Sequence, residues 1–293
     1  MNKSAYYQPS GKFSVISVVY LIAMILIVLP ILALAYTYAS WYIPIVYLNI
    51  LLTIVFAFAV GFLVNKFVIE KGKVRNKTLG IVFGLIAGLV AMYFNYAIWI
   101  NLLFGLEGAG PEGSLIQQIL AWVISPIAVF GTMKEINAVG TWGIKSSGSV
   151  SGLPLTIIWI IEGLVVIVLP IVMSLGRTGY PFCEETNTWA EEQEISGLEL
   201  IEGQAAFVSA LEAGDMSVVE VINASNSPFG FATINLFSNE GGEKFMTVTN
   251  QLRVVEDDGK ENIKSDEVIE YVKITDEAEA SVLSKLNQVE PIE

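Results

Sequence analysis

One carboxylate in this chain lies where a charged group is costly. Glu162 stands in the middle of the apolar run LPLTIIWIIEGLVVIVLPIVMSL. An ionisable side chain near the middle of a bilayer costs about 3 kcal/mol or more unless it is paired or hydrated, so it is a candidate functional residue by default. Two chemistries are open: Glu162 carries a proton or cation, or it is protonated and makes a structural hydrogen bond.

Asn49 and Asn95 are the two polar side chains inside the predicted spans that are singled out beside Glu162. With four spans and a rise of about 1.5 Å per residue, Asn49, Asn95 and Glu162 lie roughly 6, 7 and 3 Å outward of their helix midpoints. The three side chains are therefore predicted to meet in one polar layer. With five spans the last helix reverses, and Glu162 lies about 10 Å in depth from Asn95.

The residue types that are missing exclude most familiar hydrolytic chemistry. The chain has no histidine, which excludes Ser-His-Asp and Cys-His catalysis and the HExxH zinc site. Cys183 is the single cysteine, so there is no intrachain disulfide and no cysteine-based zinc site. The sequence therefore predicts neither a metal nor a cofactor, and it does not favour an enzyme.

Composition and charge predict two domains. The chain is 54% hydrophobic and only 15% charged, which is typical of an integral membrane protein. Residues 1–177 carry 10 Lys and Arg against 5 Asp and Glu, whereas residues 178–293 carry 6 against 24. We therefore expect a transmembrane domain over 1–177 and an acidic soluble domain over 178–293. The acidic surface disfavours nucleic acid and leaves the lipid bilayer and a protein as the expected partners.

Four apolar runs are long enough to cross a bilayer, which needs about 20 helical residues. They cover about 13–35, 42–64, 79–101 and 153–175. The loop NKFVIEKGKVRNK between the second and third runs holds five basic residues against one glutamate, which places it in the cytoplasm. The N-terminus is then cytoplasmic too, and the expected location is the plasma (inner) membrane.

The segment 115–131 leaves the number of spans open. A fifth span here would place the acidic domain outside the cell. However, Ser125 and Pro126 form an N-cap and N1 signature, and Gly140 is typical of a helix end, which favours two short helices with a break. The second of these helices has mainly one apolar face, as interfacial helices do. The preferred model has four spans, an extracytoplasmic cap over 102–152 and a cytoplasmic C-terminal domain.

The third run contains a glycine row with a four-residue period. Gly80, Gly84 and Gly88 form a repeated G-x-x-x-G, the pattern that lets two membrane helices approach closely. A bundle must pack its own helices first, so the row is predicted to face another span of the same chain rather than a second copy. The oligomeric state stays undetermined.

The C-terminal domain is predicted to be α+β with an antiparallel meander. GQAAFVSALEAGD is typical of a helix, and FGFATINLFS and KFMTVTNQLRVVE alternate as strands joined by NEGGE. A third strand is predicted at VIEYVKIT, after which Thr275 begins a helix as its N-cap.

Short motifs between about residues 125 and 190 resemble a group of uncharacterised bacterial polytopic membrane proteins. They are GTWGI (140–144), SG (151–152), WIIEG (159–163) and YPFCEET (180–186). In that group a Trp-x-x-Glu span precedes a C-x-x-C-like element, which implies importance for Trp159 and Glu162. Thr186 stands where the second cysteine would be, so the implied thiol pair is broken. The resemblance brings no activity with it.

The leading functional hypothesis is an accessory or interaction protein with a cytosolic binding or regulatory domain. The alternative is a proton- or cation-coupled transporter or channel that uses Glu162, with Asn49 and Asn95 assisting. Polar residues along a continuous path would favour transport, and a dry packed bundle would favour the accessory role.

Overall fold

The computed structural model describes residues 5–43, 46–106, 110–141, 149–225, 227, 229–239, 241–255 and 261–285. The chain divides into two compact units. One is a helical unit, Ser10–Gly179, and the other combines Met1–Pro9 with Tyr180–Glu293.

Four helices of the helical unit are long and apolar enough to cross a membrane, which confirms the predicted number of long apolar helices. They are α1 (Ile16–Tyr42), α2 (Tyr47–Lys71), α3 (Lys77–Gly105) and α6 (Leu153–Thr178). Their lengths of 25 to 29 residues correspond to about 38–44 Å of helix. Helix α1 ends at Tyr42, seven residues beyond its expected end at residue 35. Tyr36, Thr37 and the residues after them continue the helix instead of starting a loop.

The glycine row of α3 faces α6. A Cβ atom built on Gly84 would lie 2.7 Å from Ile171 Cα and 2.8 Å from the Pro170 carbonyl oxygen. A Cβ on Gly88 would lie 2.8 Å from Ile167 Cα, and one on Gly80 would lie 2.7 Å from Thr178 Cγ2. The absence of side chains at these three glycines therefore lets α3 and α6 approach closely over about two helical turns.

Two short helices follow α3 and meet at a sharp bend. They are α4 (Leu115–Val123) and α5 (Pro126–Val139), whose axes differ by 92°. Residues Ser114 and Gln117 form a capping box at the start of α4, and Pro126 occupies the first turn of α5. By length and composition this pair is either a broken span or a re-entrant element.

The bent pair packs beside the last third of α3 and the first turns of α6. Val129 and Ile136 are buried against Ala97 and Ile100, whereas Ile127 is 89% exposed. The apolar face predicted for α5 is therefore divided between contact with α3 and open surface. Residues 142–148, which include most of the GTWGI motif, lie outside the described part of the chain.

The other end of the bundle joins the segment before α1 to the basic loop between α2 and α3. The Arg75 amide donates to the Lys12 carbonyl over 2.9 Å, and the Ser14 amide donates to the Gly72 carbonyl over 3.3 Å. The Asn76 side chain adds a 3.1 Å hydrogen bond to the Gly11 carbonyl. These bonds place the segment before α1 and the basic loop at one end of the bundle.

The second unit contains antiparallel sheets, which confirms the predicted strand arrangement in its coarse form. Four strands form a meander in the order β3–β4–β5–β6, and β1 pairs with β2 as a short ribbon. The elements are β1 (Phe182–Cys183), β2 (Thr188–Trp189), β3 (Glu191–Leu198), α7 (Gln204–Glu212), α8 (Ser217–Glu220), β4 (Gly230–Ser238), β5 (Lys244–Val255), β6 (Glu261–Ile274) and α9 (Asp276–Ser284).

The three helices of this unit share one hydrophobic core with one face of the meander. Phe207 and Leu211 of α7, Val219 of α8 and Val282 of α9 are all buried in the cluster that also contains the inward residues of β3 to β6. The side chain of Thr275 accepts the Ala278 amide at the start of α9, as its position predicts for an N-cap.

The segment before α1 adds a short antiparallel bridge to the edge of β6. Tyr6 pairs with Val272, and the Tyr7 amide donates to the Tyr271 carbonyl over 2.9 Å. The Tyr6 hydroxyl donates to Glu212 Oε1 over 2.7 Å. Burial, reinforced by that bond, raises the pKa of Tyr6 to about 12. The sequence analysis did not anticipate this bridge.

A β-bulge interrupts β6 next to the residue that forms this bridge. The register with β5 shifts beside Tyr271, whose φ of 49° is a conformation that bulky side chains rarely adopt. The Tyr271 amide donates to Thr247 Oγ1 over 3.1 Å. An aromatic cluster packs here with its rings edge to face: Tyr7, Tyr180, Phe237, Phe245 and Tyr271. It joins the residues just before α1 to those just after α6.

Candidate functional site

Glu162 lies on the face of α6 that points into the bundle. It is nine residues after Leu153, about 14 Å along the helix from that end. It is half-buried and lies on the same side of α6 as the half-buried Trp159 and the buried Val166, whereas its neighbour Ile161 is exposed. The carboxylate therefore faces other helices, in the half of the bundle nearer the bent pair.

Aromatic rings surround this position. Trp159 makes edge-to-face contacts with Tyr96 and Trp99, each with ring centroids 6.1 Å apart. Glu162 also interacts electrostatically with Tyr36 and Tyr96. No side chain in the described part of the protein donates a hydrogen bond to the Glu162 carboxylate.

Asn95 is buried and its hydrogen bond goes to α1. Thr37 Oγ1 donates to Asn95 Oδ1 over 2.8 Å, and the same hydroxyl is 2.6 Å from the Ala33 carbonyl. Both Thr37 and Asn95 are less than a tenth exposed. A polar link thus joins α1 to α3 at about the depth of Glu162.

Asn49 lies near the start of α2, about one helical turn before Thr53. Its carbonyl accepts Thr53 Oγ1 over 2.9 Å, and Thr53 Oγ1 is 2.8 Å from the Tyr36 hydroxyl. Asn49 Oδ1 is buried, and among the described residues it has no hydrogen-bond partner. The Tyr36 ring stacks on Phe56 at 4.5 Å, which fixes the hydroxyl between α1 and α2.

No hydrogen bond among the described residues joins any two of the three side chains singled out from the sequence. Asn95 bonds to Thr37, Asn49 contributes its carbonyl, and Glu162 is left beside tyrosine rings. Sequence reasoning missed the links through Thr37 and Thr53. The available signal was weak, because a threonine that returns its hydroxyl to the carbonyl four residues earlier is ordinary in an apolar helix.

A second candidate site lies in the sheet unit. A cavity of about 350 Å³ opens between the segment 199–203, helix α7 and the end of α8. Its lining is apolar except for one carboxylate: Glu199, Leu200, Ile201, Gly203, Ala206, Phe207, Val218, Val221 and Ile222. The sequence analysis did not anticipate this cavity, because its walls come from three separate segments.

Polar anchors hold the walls of this cavity in place. Asn250 is buried and exchanges two 3.0 Å hydrogen bonds with the backbone of Ile201. The Glu199 amide donates to the Asn223 carbonyl over 2.9 Å. Lys285 is buried and donates to the carbonyls of Val219, Glu220 and Ile222. These hydrogen bonds therefore fix the backbone of the segments that line the cavity.

Cys183 lies half-buried in β1. Hydrogen bonding to Thr186 lowers the pKa of its thiol. The chain offers it no second cysteine. Within the described ranges, no group of three or more Cys, Asp and Glu side chains has the arrangement of a metal site.

Comparison with known proteins gives no match: no family model, no curated protein and no solved structure matches this chain. Function must therefore follow from the geometry of the polar layer and the cavity.

Proposed function

We propose that this is a multi-pass protein of the plasma membrane with an accessory or interaction role, and that its acidic sheet unit is a cytoplasmic binding or regulatory module. The observation that carries the proposal is the bridge between Tyr6 and Val272. It joins a segment that precedes the first candidate span to a strand that follows the last one.

The bridge supports an even number of crossings. Two segments of one sheet must lie on the same side of a membrane, because a strand edge pairs only in direct contact. Four spans satisfy this condition and five do not. The bent pair α4 and α5 is then a cap or re-entrant element, in line with its 92° bend.

The basic loop supports the choice of side. It is hydrogen-bonded to Lys12 and Ser14, just before α1, so the segment before α1 and the loop share one side. Five of the loop's residues are Lys or Arg, which the positive-inside rule assigns to the cytoplasm. The acidic unit, bridged to Tyr6, is on that side too.

The sheet unit suits binding better than catalysis. Among the described residues its cavity is lined almost entirely by apolar side chains, with Glu199 as the single charged group. An apolar recess with few polar groups is typical of a surface that holds an apolar partner group. Acid–base or nucleophilic chemistry would require several polar groups converging on one reacting atom.

Transport of a proton or cation at Glu162 is the second candidate. It is favoured by the carboxylate that receives no hydrogen bond from the described residues. The other half of the bundle disfavours it, because residues 23–35, 54–64, 79–92 and 163–173 of the four long helices contain no polar side chain. The shortest of these runs spans about 15 Å of helix, so the polar layer does not continue as a polar path.

Substitution of Glu162 separates these two roles. We expect Glu162→Gln to keep or raise thermal stability in detergent, because the wild-type carboxylate gains no donated hydrogen bond that the amide would lose. The matched variant Thr37→Val removes a buried donor from Asn95 and the Ala33 carbonyl, and should cost about 0.5–1.5 kcal/mol. Liposomes that contain the wild-type protein or Glu162→Gln should show no proton or cation flux. A flux that only the wild-type chain supports would make transport the function instead.

The bridge itself can be tested by a disulfide. In a Cys183→Ser background, the pair Tyr6→Cys and Val272→Cys places two thiols on directly paired residues of antiparallel strands, whose Cα atoms are about 4.5–5.5 Å apart. We expect oxidation of native membranes to cross-link the pair nearly completely. The readout is a mobility shift on a non-reducing gel that reductant reverses.

Two controls make this experiment decisive. The pair Tyr6→Cys and Val254→Cys should not cross-link. Val254 of β5 is paired with Asn262 of β6, at the end of the two strands that is far from Val272. A reporter fused after Glu293 should be active only in the cytoplasm. Absence of the cross-link together with a periplasmic reporter would contradict the four-span proposal.

A further inference from the structure

We propose that the cavity beside α8 binds a basic segment of a partner protein, which inserts one or two large apolar side chains between Ile201, Phe207 and Val221. This inference rests on the proposed function, since it specifies what the cytoplasmic module binds. It goes further in naming the surface and the chemistry of the occupant.

The size and lining of the cavity fit side chains rather than a complete small ligand. About 350 Å³ is at the lower end of small-molecule pockets, and all described lining residues except Glu199 are of apolar type. Small-molecule sites usually add several placed polar groups that fix orientation, and among the described lining residues Glu199 alone is charged. One or two aliphatic side chains of a peptide would fill such a space as anchors.

The rim is accessible. Val221 is 70% exposed although it lines the cavity, and Val218 beside it is half-buried. An exposed valine at the mouth of an apolar recess leaves apolar area in water that a bound side chain would cover. Because Asn250 and Lys285 already fix the walls, binding does not require the domain to order itself first.

The charge around the mouth selects a basic partner. Glu199, Glu202 and Glu220 are exposed next to lining residues. Lys285 is buried and directs its ammonium group to three backbone carbonyls, so its charge does not face the mouth of the cavity. Moreover, no Lys or Arg occurs between Arg177 and Lys244, a stretch that holds twelve Asp and Glu.

This charge pattern also separates a protein from other occupants. An anionic membrane surface or a nucleic acid would be repelled by the rim, whereas Lys and Arg beside an apolar anchor would be attracted and steered. A free fatty acid would place its own carboxylate among three others. A basic amphipathic segment is the occupant that satisfies both the apolar lining and the acidic rim.

The test uses the full chain in nanodiscs of zwitterionic lipid and a labelled peptide that has two adjacent leucines between pairs of lysines. Fluorescence anisotropy should report saturable binding to protein-loaded discs and none to empty discs. A peptide with both leucines replaced by serine should bind about tenfold more weakly, and one with its lysines replaced by glutamates should not bind. Both faces of a nanodisc are open, so this result does not depend on which way the protein crosses a membrane.

Variants at the cavity give the decisive comparison. Val221→Asp at the mouth should weaken the leucine peptide about tenfold, whereas the matched control Val254→Asp, an exposed valine on β5, should leave affinity within about twofold. Replacing Glu199, Glu202 and Glu220 by glutamine should weaken binding about fivefold and reduce its salt dependence.

Three outcomes would overturn the inference. Equal affinity for the leucine and serine peptides would mean that charge alone holds the peptide. An unchanged affinity in Val221→Asp would place the binding elsewhere. A photoreactive phenylalanine derivative in place of Val221 should cross-link to the leucine peptide; cross-linking only to lipid, or only to residues 286–293 of the same chain, would assign the cavity to that occupant. In each case the disulfide between positions 6 and 272 would still test the proposed function independently.

Discussion

Gly84→Leu should remove most of the folded protein from the membrane. A Cβ atom at this position would lie 2.7 Å from Ile171 Cα and 2.8 Å from the Pro170 carbonyl oxygen, both of which belong to the backbone of α6. Backbone atoms cannot rotate away as a flexible side chain can, so the helices must separate. Even Gly84→Ala should cost about 1–3 kcal/mol through overpacking. Size-exclusion chromatography in detergent and a thermal melt measure both effects.

Gly105→Leu is the matched control on the same helix. A Cβ atom there would meet none of the described residues within 4 Å, and leucine favours the helix by up to about 1 kcal/mol over glycine. We expect wild-type yield and an unchanged melting temperature. If Gly84→Leu behaves like Gly105→Leu, α3 and α6 do not pack through the glycine row. A stability of Gly84→Ala that rises with protein concentration would instead assign the row to contact between two copies.

Lys285→Met should destabilise the sheet unit by about 2–4 kcal/mol. The ammonium group donates to the carbonyls of Val219, Glu220 and Ile222, and methionine fills the space of the aliphatic stem while removing this donor from all three carbonyls. Burial lowers the pKa of Lys285, because removing the ammonium group from water disfavours its charged form. The hydrogen bonds to the three carbonyls offset this cost. Pulse proteolysis in urea, with the bundle held in a nanodisc, measures the free energy of unfolding.

Lys273→Met provides the comparison for an exposed lysine. Lys273 pairs with Glu243 at the surface, where both side chains are about half exposed, and such pairs contribute little. Its loss should cost less than about 0.5 kcal/mol. Equal effects of the two substitutions would mean that Lys285 does not support the end of α8.

Much of the architecture follows from local patterns in the sequence. The long helices were predicted from apolar runs of the length that a bilayer requires. The break before Pro126 was predicted from the proline and from Ser125 as an N-cap. The strands β4, β5 and β6 come from two-residue alternation, and Thr275 caps α9 where a threonine before acidic residues predicts it. Each of these signals acts over a few residues, so one chain suffices to show it.

The features that the sequence did not predict depend on contacts between distant residues. The bridge between Tyr6 and Val272 is an isolated pair, so the sequence around Tyr6 shows no two-residue alternation that would predict a strand. The cavity depends on Asn250 holding Ile201, a pairing that composition cannot indicate. Helix depth alone predicted one polar layer for Asn49, Asn95 and Glu162, and that meeting stays a prediction, because Asn95 bonds to Thr37 instead. The choice of Thr37 as the partner of Asn95 required the rotation of α1, which propensity does not determine.

The bridge at Tyr6 also imposes an order on synthesis. Tyr6 leaves the ribosome first, but its partner Val272 appears only after every long helix has been made. At about 5–20 residues per second, the N-terminal segment waits roughly 15 to 50 s for the strand edge that it joins. During that interval Tyr6 and Tyr7 lack the strand edge with which they pair. A tag placed before Tyr6 would therefore interfere with closure of the sheet, not with insertion of the helices.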